Sequence, residues 1–251
     1  FVNEIGAAAS FLPSELGPAF LGADIVAFGG TALVPALHDG LPGLLAKAKS
    51  RGALTFVNTV FDFRAERRDP AGPWPLGGRL DRPGLPGPAA SYRSCDLLVM
   101  DRDEALRLAG TRDLGLALAF FRASGIGAYL VTRGGESVLA WSGGGRFAPL
   151  GPTELPISER ALRELSDPER EGDTTGCGDA FAGGALADIA MQLAEGRASG
   201  LDLVRATSWG IAGGAFTLSI LGGTYIESRP GEKRELVASY RADWIRQAGR
   251  T

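Results

Sequence analysis

The chain has 251 residues, of which 45% are hydrophobic and 22% charged, which is enough to fill one large domain or two small ones and argues against global disorder. Its formal net charge of -3 leaves no basic surplus to neutralise phosphates, which argues against a nucleic-acid partner. No apolar run is long enough to span a membrane, so we predict no membrane partner. Neither Cys95 nor Cys177 has a C-x-x-C partner, so we predict no disulfide framework, no zinc site and a cytoplasmic location.

Predicted strands and helices alternate in the first half of the chain. The elements are a short helix at 14–21, a strand at 23–28, a helix at 41–51 and strands at 53–58 and 95–100. This order predicts a parallel sheet with right-handed crossovers. Prolines and arginines interrupt it between residues 61 and 92, where we predict no long regular element and a surface excursion near the functional site.

The second half continues the alternation and ends in three longer helices. The predicted elements are helices at 103–109 and 114–124, a strand at 129–132, paired strands at 137–141 and 146–150, a short helix at 158–165, and helices at 180–194, 202–218 and 232–247. We therefore predict an α/β fold, a doubly wound and mostly parallel sheet flanked by helices, in a single domain over residues 1–251. Asn58, Asp101 and Thr132 each follow a predicted strand, so we expect them at the sheet edge where such folds bind ligands.

The stretch from Asp173 to Gly184 reads DTTGCGDAFAGG and runs into an apolar helical pattern. Gly176 and Gly178 allow a tight turn with exposed backbone N–H groups, and a helix N-terminus favours anions. Asp179 at this junction suits a general base that accepts a proton from a hydroxyl group as that group attacks a phosphate. The alternative is that Asp179 only caps the helix.

This stretch resembles the signature D-T-x-G-A-G-D-x-F-x-G-G of the ribokinase-like (PfkB) carbohydrate and nucleoside kinases, with Cys177 where alanine is usual. The resemblance implies a kinase that transfers the γ-phosphoryl group of ATP to a hydroxyl of a sugar or nucleoside. Gly176, Cys177 and Gly178 are then expected to supply backbone N–H groups to the phosphoryl group. Cys177 is a poor candidate for a nucleophile, because the single histidine, His38, reads as a surface or capping residue.

The same resemblance implies sites for the cofactors ATP and Mg²⁺. Asp101-Arg102-Asp103-Glu104 is similar to the family's N-x-x-E motif, so we expect Glu104 to help organise Mg²⁺, with Asp101 as a second metal candidate in place of the usual Asn. Without the resemblance, these carboxylates equally fit a charged first turn of a helix.

Further residues are assigned to ATP and to a monovalent cation by the resemblance alone. Val131–Ser137 is similar to the V-T-x-G-x-x-G nucleotide segment, although Ser137 replaces its last glycine. Gly210–Gly223 resembles the helix and turn that cover adenine, with Ile211 where Asn or His is frequent. The residues expected to bind ATP are Asn58, Thr132, Arg133, Gly134, Gly135 and Gly178, and those expected at a monovalent cation such as K⁺ are Asp173 and Thr175.

Members of the family usually carry about a hundred further N-terminal residues, which hold the first strands and the lid. We therefore expect an N-terminally incomplete ribokinase-like domain that acts on a small hydroxyl-bearing substrate; a homodimer is compatible with this interpretation. The alternative is a catalytically silent nucleotide-binding or interaction protein on the same fold. A P-loop kinase and a dehydrogenase lack support, because neither G-x-x-x-x-G-K-[ST] nor a correctly placed G-x-G-x-x-G occurs.

Overall fold

The computed structural model describes residues 5–78, 87–167 and 172–249, and the chain divides into two compact units, Phe1–Val131 and Thr132–Thr251. The strands are β1 Ile25–Gly29, β2 Leu54–Asn58, β3 Leu97–Asp101, β4 Ala128–Thr132, β5 Ser137–Ser142 and β6 Leu150–Pro156. The helices are α1 Pro35–Ser50, α2 Phe63–Arg68, α3 Pro88–Ser94, α4 Arg102–Ala109, α5 Leu114–Ala123, α6 Glu159–Leu165, α7 Cys177–Ala194, α8 Leu203–Thr217 and α9 Glu232–Ala248.

The six strands follow one another in the sheet in chain order. Strands β1, β2 and β3 are parallel, whereas β5 and β6 are antiparallel. The predicted α/β class, with a mostly parallel sheet flanked by helices, is confirmed. Organisation as a single domain remains a prediction. None of the described helices combines the length and the apolar character needed to cross a bilayer.

The strand predicted at 146–150 is wrong. Strand β6 begins at Leu150 instead, and Phe147 forms an isolated bridge with Leu201. Gly151 and Pro152 lie inside β6 and read as a turn in the sequence. Because β6 is the last strand in the sheet order, a proline there removes no hydrogen bond from an interior ladder.

Two predicted helices also differ from the structure. Residues 14–21 form no α-helix, and only short 3₁₀ turns occur there. Helix α1 begins at Pro35, six residues before its predicted start. Gly40 and Pro42 disfavour a helix locally, but the buried face of α1 outweighs that preference, and Pro35 suits the first helical position.

The segment 61–78 is more than a surface excursion, because Arg107 of α4 fastens it to the first unit. The Arg107 guanidinium donates to the Glu66 carboxylate at 3.0 Å and to the Pro70 carbonyl oxygen, and it lies 5.7 Å from the centroid of the buried Trp74 ring. The Trp74 backbone N–H donates to the Arg107 carbonyl oxygen at 2.9 Å. Within 61–92, the part of the predicted excursion at 79–86 lies outside the described residues.

Helices α7 and α8 of the second unit cross closely, and glycines make that approach possible. A Cβ atom on Gly184 would lie 2.9 Å from the Trp209 carbonyl carbon, and one on Gly213 would lie 2.5 Å from the Ala180 carbonyl oxygen. Both obstacles are backbone atoms of the facing helix, which cannot rotate away. The α7–α8 crossing therefore depends on the absence of side chains at these positions.

A buried carboxylate also connects the two helices. Asp188 of α7 is fully buried, and it accepts hydrogen bonds from Arg205 Nε at 2.9 Å and from Gln192 Nε2 at 2.7 Å. The Gln192 side chain in turn accepts from the Asp202 backbone N–H at 2.7 Å and donates to its carbonyl oxygen at 3.0 Å. Each oxygen of the buried charge is thus paired, as a stable interior carboxylate requires.

His38 is buried in the first unit, so its prediction as a surface or capping residue is wrong. Its Nδ1 atom lies 3.1 Å from Thr31 Oγ1, and its Nε2 atom lies 3.6 Å from Asp62 Oδ2. Burial lowers the pKa of the imidazole below its ordinary value, although the Asp62 carboxylate partly opposes this effect.

We expect His38 to make the free energy of unfolding fall as the pH drops below about 6.5, because the unfolded chain then binds a proton that the folded chain resists. The His38→Asn variant keeps a polar group for Thr31 but cannot titrate. Urea unfolding at several pH values between about 5 and 8 should show a weaker pH dependence for this variant. Identical pH profiles for the two proteins would contradict the effect.

Candidate active site

The loop before α7 is held in place by Asp173. One Asp173 carboxylate oxygen accepts from the Thr175 N–H at 2.8 Å, and the other accepts from the Gly222 N–H at 3.2 Å. These two backbone hydrogen bonds hold the pKa of Asp173 below its usual range. Gly176 follows with φ +75°, a conformation that favours glycine, and a Cβ atom there would lie 3.2 Å from Gly223 Cα.

Unpaired backbone N–H groups gather where α7 begins. The Cys177 N–H donates to the Thr174 carbonyl oxygen at 3.2 Å, and the Ala180 N–H donates to the Gly176 carbonyl oxygen at 2.8 Å. Among the described residues, the N–H groups of Gly176, Gly178 and Asp179 have no hydrogen-bond acceptor. Free donors at the positive end of a helix form a site for an anion such as a phosphoryl group.

Asp179 belongs to the same first turn of α7, and its side chain is exposed. The N-cap position is Gly176, and the Asp179 carboxylate makes no capping hydrogen bond. The structure therefore gives Asp179 no structural partner within the described residues. The carboxylate remains available to a ligand that binds next to the free N–H groups.

A cavity and a groove of the second unit both adjoin the start of α7. An apolar cavity of about 260 Å³ is lined by Cys177 and Gly178. An open groove of about 910 Å³ is lined by Gly176 and Asp179, together with residues of α8 and α9. The anion site therefore borders both the cavity and the groove, and the carboxylate belongs to the groove.

The apolar cavity also brings together residues that were predicted to bind a nucleotide. Thr132, Gly134 and Gly135 lie on its wall, as do residues of α8 including Ile211. Arg133 is absent from the wall, because its guanidinium lies 3.0 Å from the carboxylates of both Glu136 and Glu154. The Arg133 N–H donates to the Ser137 carbonyl oxygen at 2.9 Å, which closes the turn into β5.

Helix α9 supports a wall of this cavity from outside. Ile157 and Ser158, which follow β6, line the cavity. Trp244 Nε1 donates to the Pro156 carbonyl oxygen at 2.6 Å, and Gln247 Nε2 donates to the Ile157 carbonyl oxygen at 2.9 Å. The hydrogen-bonded pairs are 88 and 90 residues apart in the chain.

In the first unit, two carboxylates meet at the end of β3. Asp101 Oδ1 accepts from the Glu104 N–H at 2.8 Å, while Glu104 Oε2 accepts from the Asp101 N–H at 2.9 Å and from Thr59 Oγ1 at 2.6 Å. Burial raises the pKa of Glu104, and the hydrogen bond from Thr59 partly opposes this. Asn58 ends the neighbouring parallel strand β2.

These carboxylates form the capping box of α4, a more specific arrangement than the charged first turn that was the alternative for them. That role leaves Glu104 Oε1 without a hydrogen bond among the described residues. Over 5–78, 87–167 and 172–249, no group of three or more His, Cys, Asp or Glu side chains is arranged to hold a metal ion. The free Glu104 Oε1 and the second Asp101 carboxylate oxygen are hard oxygen donors of the kind that divalent cations such as Mg²⁺ take.

Comparison with known proteins decides the family. The sequence matches the pfkB family of carbohydrate kinases over residues 85–228, which is more than half of the chain and includes α7 and its preceding loop. The chain belongs to the pfkB carbohydrate kinase family. No curated protein sequence matches it significantly.

Solved structures share the fold of this pfkB-family chain. A carbohydrate kinase from Agrobacterium tumefaciens is 22% identical with a TM-score of 0.60, and the match covers 94% of this chain and 63% of that one. An adenosine kinase from Sinorhizobium meliloti is 20% identical with a TM-score of 0.61, covering 96% and 59%. An Arabidopsis thaliana ribokinase, solved with ribose and ATP, is 18% identical with a TM-score of 0.62, covering 96% and 64%. The chain thus spans about three-fifths of the length of these structures.

Cys177 provides a direct probe of the apolar cavity in this family member. Its thiol is half-buried, and burial together with the Asp173 carboxylate raises its pKa, so alkylation should be slow but measurable at mildly alkaline pH. We expect ATP at roughly ten times its dissociation constant to slow alkylation of Cys177 about tenfold. Peptide mass spectrometry would follow the reaction.

Cys95 is the internal control for this measurement, because it is fully buried and burial raises its pKa strongly. It should stay unmodified with or without ATP as long as the protein is folded. Alkylation of Cys177 at the same rate in saturating ATP would show that the nucleotide lies elsewhere.

Proposed function

We propose that this chain carries the nucleotide-binding and phosphoryl-transfer residues of a kinase that moves the γ-phosphoryl group of ATP to a hydroxyl of a sugar or a related small molecule. One observation carries the proposal: the residues with free N–H groups at the start of α7 line both an apolar cavity, at Gly178, and the open groove that contains Asp179, at Gly176 and Asp179. In-line transfer needs a donor and an acceptor on opposite sides of the phosphoryl group.

In this reaction the substrate hydroxyl oxygen attacks the γ-phosphorus, the bond from that phosphorus to the β–γ bridging oxygen breaks, and ADP leaves. Asp179 accepts the hydroxyl proton late in the transfer, because a carboxylate is too weak a base to remove it beforehand. The N–H groups of Gly176, Gly178 and Asp179 donate to the phosphoryl oxygens, and such preorganised donors stabilise charge in the transition state.

Mg²⁺ is part of the proposal, and Glu104 and Asp101 are the residues that would hold it. When bound, it neutralises charge on the phosphates. The Thr59 hydroxyl orients Glu104 and leaves Oε1 free.

A monovalent cation near Asp173 and Thr175 stays a prediction. The Asp173 carboxylate already accepts two backbone N–H groups that hold the loop, so its structural role stands without an ion.

The hydroxyl substrate is proposed only as a class. The open groove beside Asp179 is lined by charged residues, such as Glu227 and Lys233, and by Trp209, a combination that suits a polar molecule with some apolar surface. These residues do not choose between a sugar and a nucleoside. A cytoplasmic location and a homodimer likewise stay predictions.

ADP release tests the function directly. The protein would be incubated with ATP, Mg²⁺ and a panel of sugars, polyols and nucleosides, and release above the substrate-free rate is expected for at least one of them. ATP binding without turnover on any substrate would favour the second candidate, a nucleotide-binding protein that is catalytically silent. Failure to bind any nucleotide would contradict both.

A further inference from the structure

The apolar cavity beside the anion site has few means of telling one purine base from another. Its floor consists of the buried side chains of Val138, Phe181, Ile211 and Ala215. Among the described residues that line it, none has a side chain with a charge or an amide group. The described part of its wall therefore offers no fixed polar side chain that could select one base.

The polar side chains that do line the cavity are adaptable. They are the hydroxyls of Thr132, Ser158 and Thr174 and the thiol of Cys177. The Ser158 oxygen already accepts from the Ala161 N–H at 3.3 Å, where it caps α6. A hydroxyl can rotate to donate or to accept, so it can pair with the amino group of adenine or with the carbonyl oxygen of guanine.

Strong discrimination between similar ligands arises when the wrong one leaves a buried polar group unpaired. Among the described residues, the side chains of this cavity present no fixed donor or acceptor that one purine would satisfy and the other would leave unpaired, so the protein side imposes this cost on neither purine. Size still matters, because a cavity of about 260 Å³ lies near the lower limit for small-molecule sites and suits a base, with the sugar and phosphates outside it. A pyrimidine would leave part of the apolar floor uncovered.

We propose that the cavity accepts purine nucleoside triphosphates as a class, with ATP and GTP both serving as phosphoryl donors, and that Ile211 on its floor sets this tolerance. The inference rests on the proposed function, since it concerns the donor of the same reaction. The free N–H groups at Gly178 and Asp179 hold the phosphates whichever purine is bound.

Calorimetric binding of ATP, GTP, CTP and UTP to the whole chain tests the inference. We expect the dissociation constants of ATP and GTP to agree within about tenfold, and those of CTP and UTP to be about tenfold weaker or more. A preference for ATP over GTP of about a hundredfold or more would overturn the inference and leave the proposed function intact. No binding of any nucleotide would overturn the proposed function itself.

Substitution of Ile211 tests its part in the site. Ile211→Asn places a fixed amide on the floor and should change the ratio of the ATP and GTP affinities about tenfold or more, whereas Ile211→Leu keeps the floor apolar and should leave the ratio unchanged. Circular dichroism would establish that each variant is folded. An unchanged ratio in folded Ile211→Asn would show that the base does not lie over Ile211. If that variant does not fold, the wild-type ratio still decides the inference.

Discussion

Replacing Asp179 with asparagine should lower the phosphoryl-transfer rate about a hundredfold to ten-thousandfold, which is the usual contribution of a general base. Asparagine has the same shape but cannot accept the proton. Because the Asp179 side chain is exposed and makes no hydrogen bond in the described part of the chain, the substitution leaves no unpaired partner behind. The rate would be measured with the best substrate of the panel, and ATP affinity by calorimetry should change little.

Asp202→Asn is the matched control for this experiment. Asp202 also stands where a helix begins, and its carboxylate accepts from the Arg205 N–H at 2.8 Å as the N-cap of α8. Asparagine caps helices about as well as aspartate, so the control should keep both its stability and its rate. Equal rates for wild type and Asp179→Asn would remove Asp179 from the mechanism.

A single methyl group at Gly184 should separate α7 from α8. In Gly184→Ala the new Cβ meets the Trp209 carbonyl group and lies 3.2 Å from Gly210 Cα, so the helices must shift apart. We expect the free energy of unfolding to fall by about 1–3 kcal/mol, as overpacking of a tight interior usually costs. Since α7 carries the anion site at its start, ATP affinity should weaken as well. Urea denaturation and calorimetry would measure the two effects.

The adjacent residue supplies the control. A Cβ atom on Gly183 meets no heavy atom within 4 Å. Alanine is better suited to a helix than glycine, so Gly183→Ala should gain up to about 1 kcal/mol of stability. Opposite effects at two neighbouring glycines of one helix would identify the helix crossing as the cause. A similar loss at both positions would indicate a general intolerance of α7 instead.

The glycine turn that leads into α7 could be predicted from the sequence because its determinants are local, although the helix begins at Cys177, three residues before its predicted start. Gly176 adopts the positive φ that its residue type allows, and the helix begins directly after it. Strands β2 and β4 could also be predicted from the sequence, since each is a short, continuous run of buried residues. Local chemistry decides such elements, and tertiary packing only confirms them.

Other features depend on residues that are far apart in the sequence. The contact between Thr59 and Glu104 joins residues 45 positions apart, so the orientation of Glu104 has no local signal. Helix α1 forms through Pro42, and β6 forms through Pro152, because burial or edge position outweighs local preference there. The capping box of Asp101 and Glu104 was not predicted, although its D-x-x-E spacing is present in the sequence; the alternative considered beside the metal site was only a charged first helical turn.

The support that α9 gives to the wall of the apolar cavity affects the order of events during synthesis. Ile157 leaves the ribosome 90 residues before Gln247, which is roughly 4–18 s at ordinary rates of translation. Over that interval the connector after β6 lacks its hydrogen bonds to Trp244 and Gln247. We expect the nascent chain to gain protection from ATP against proteolysis only after α9 has emerged.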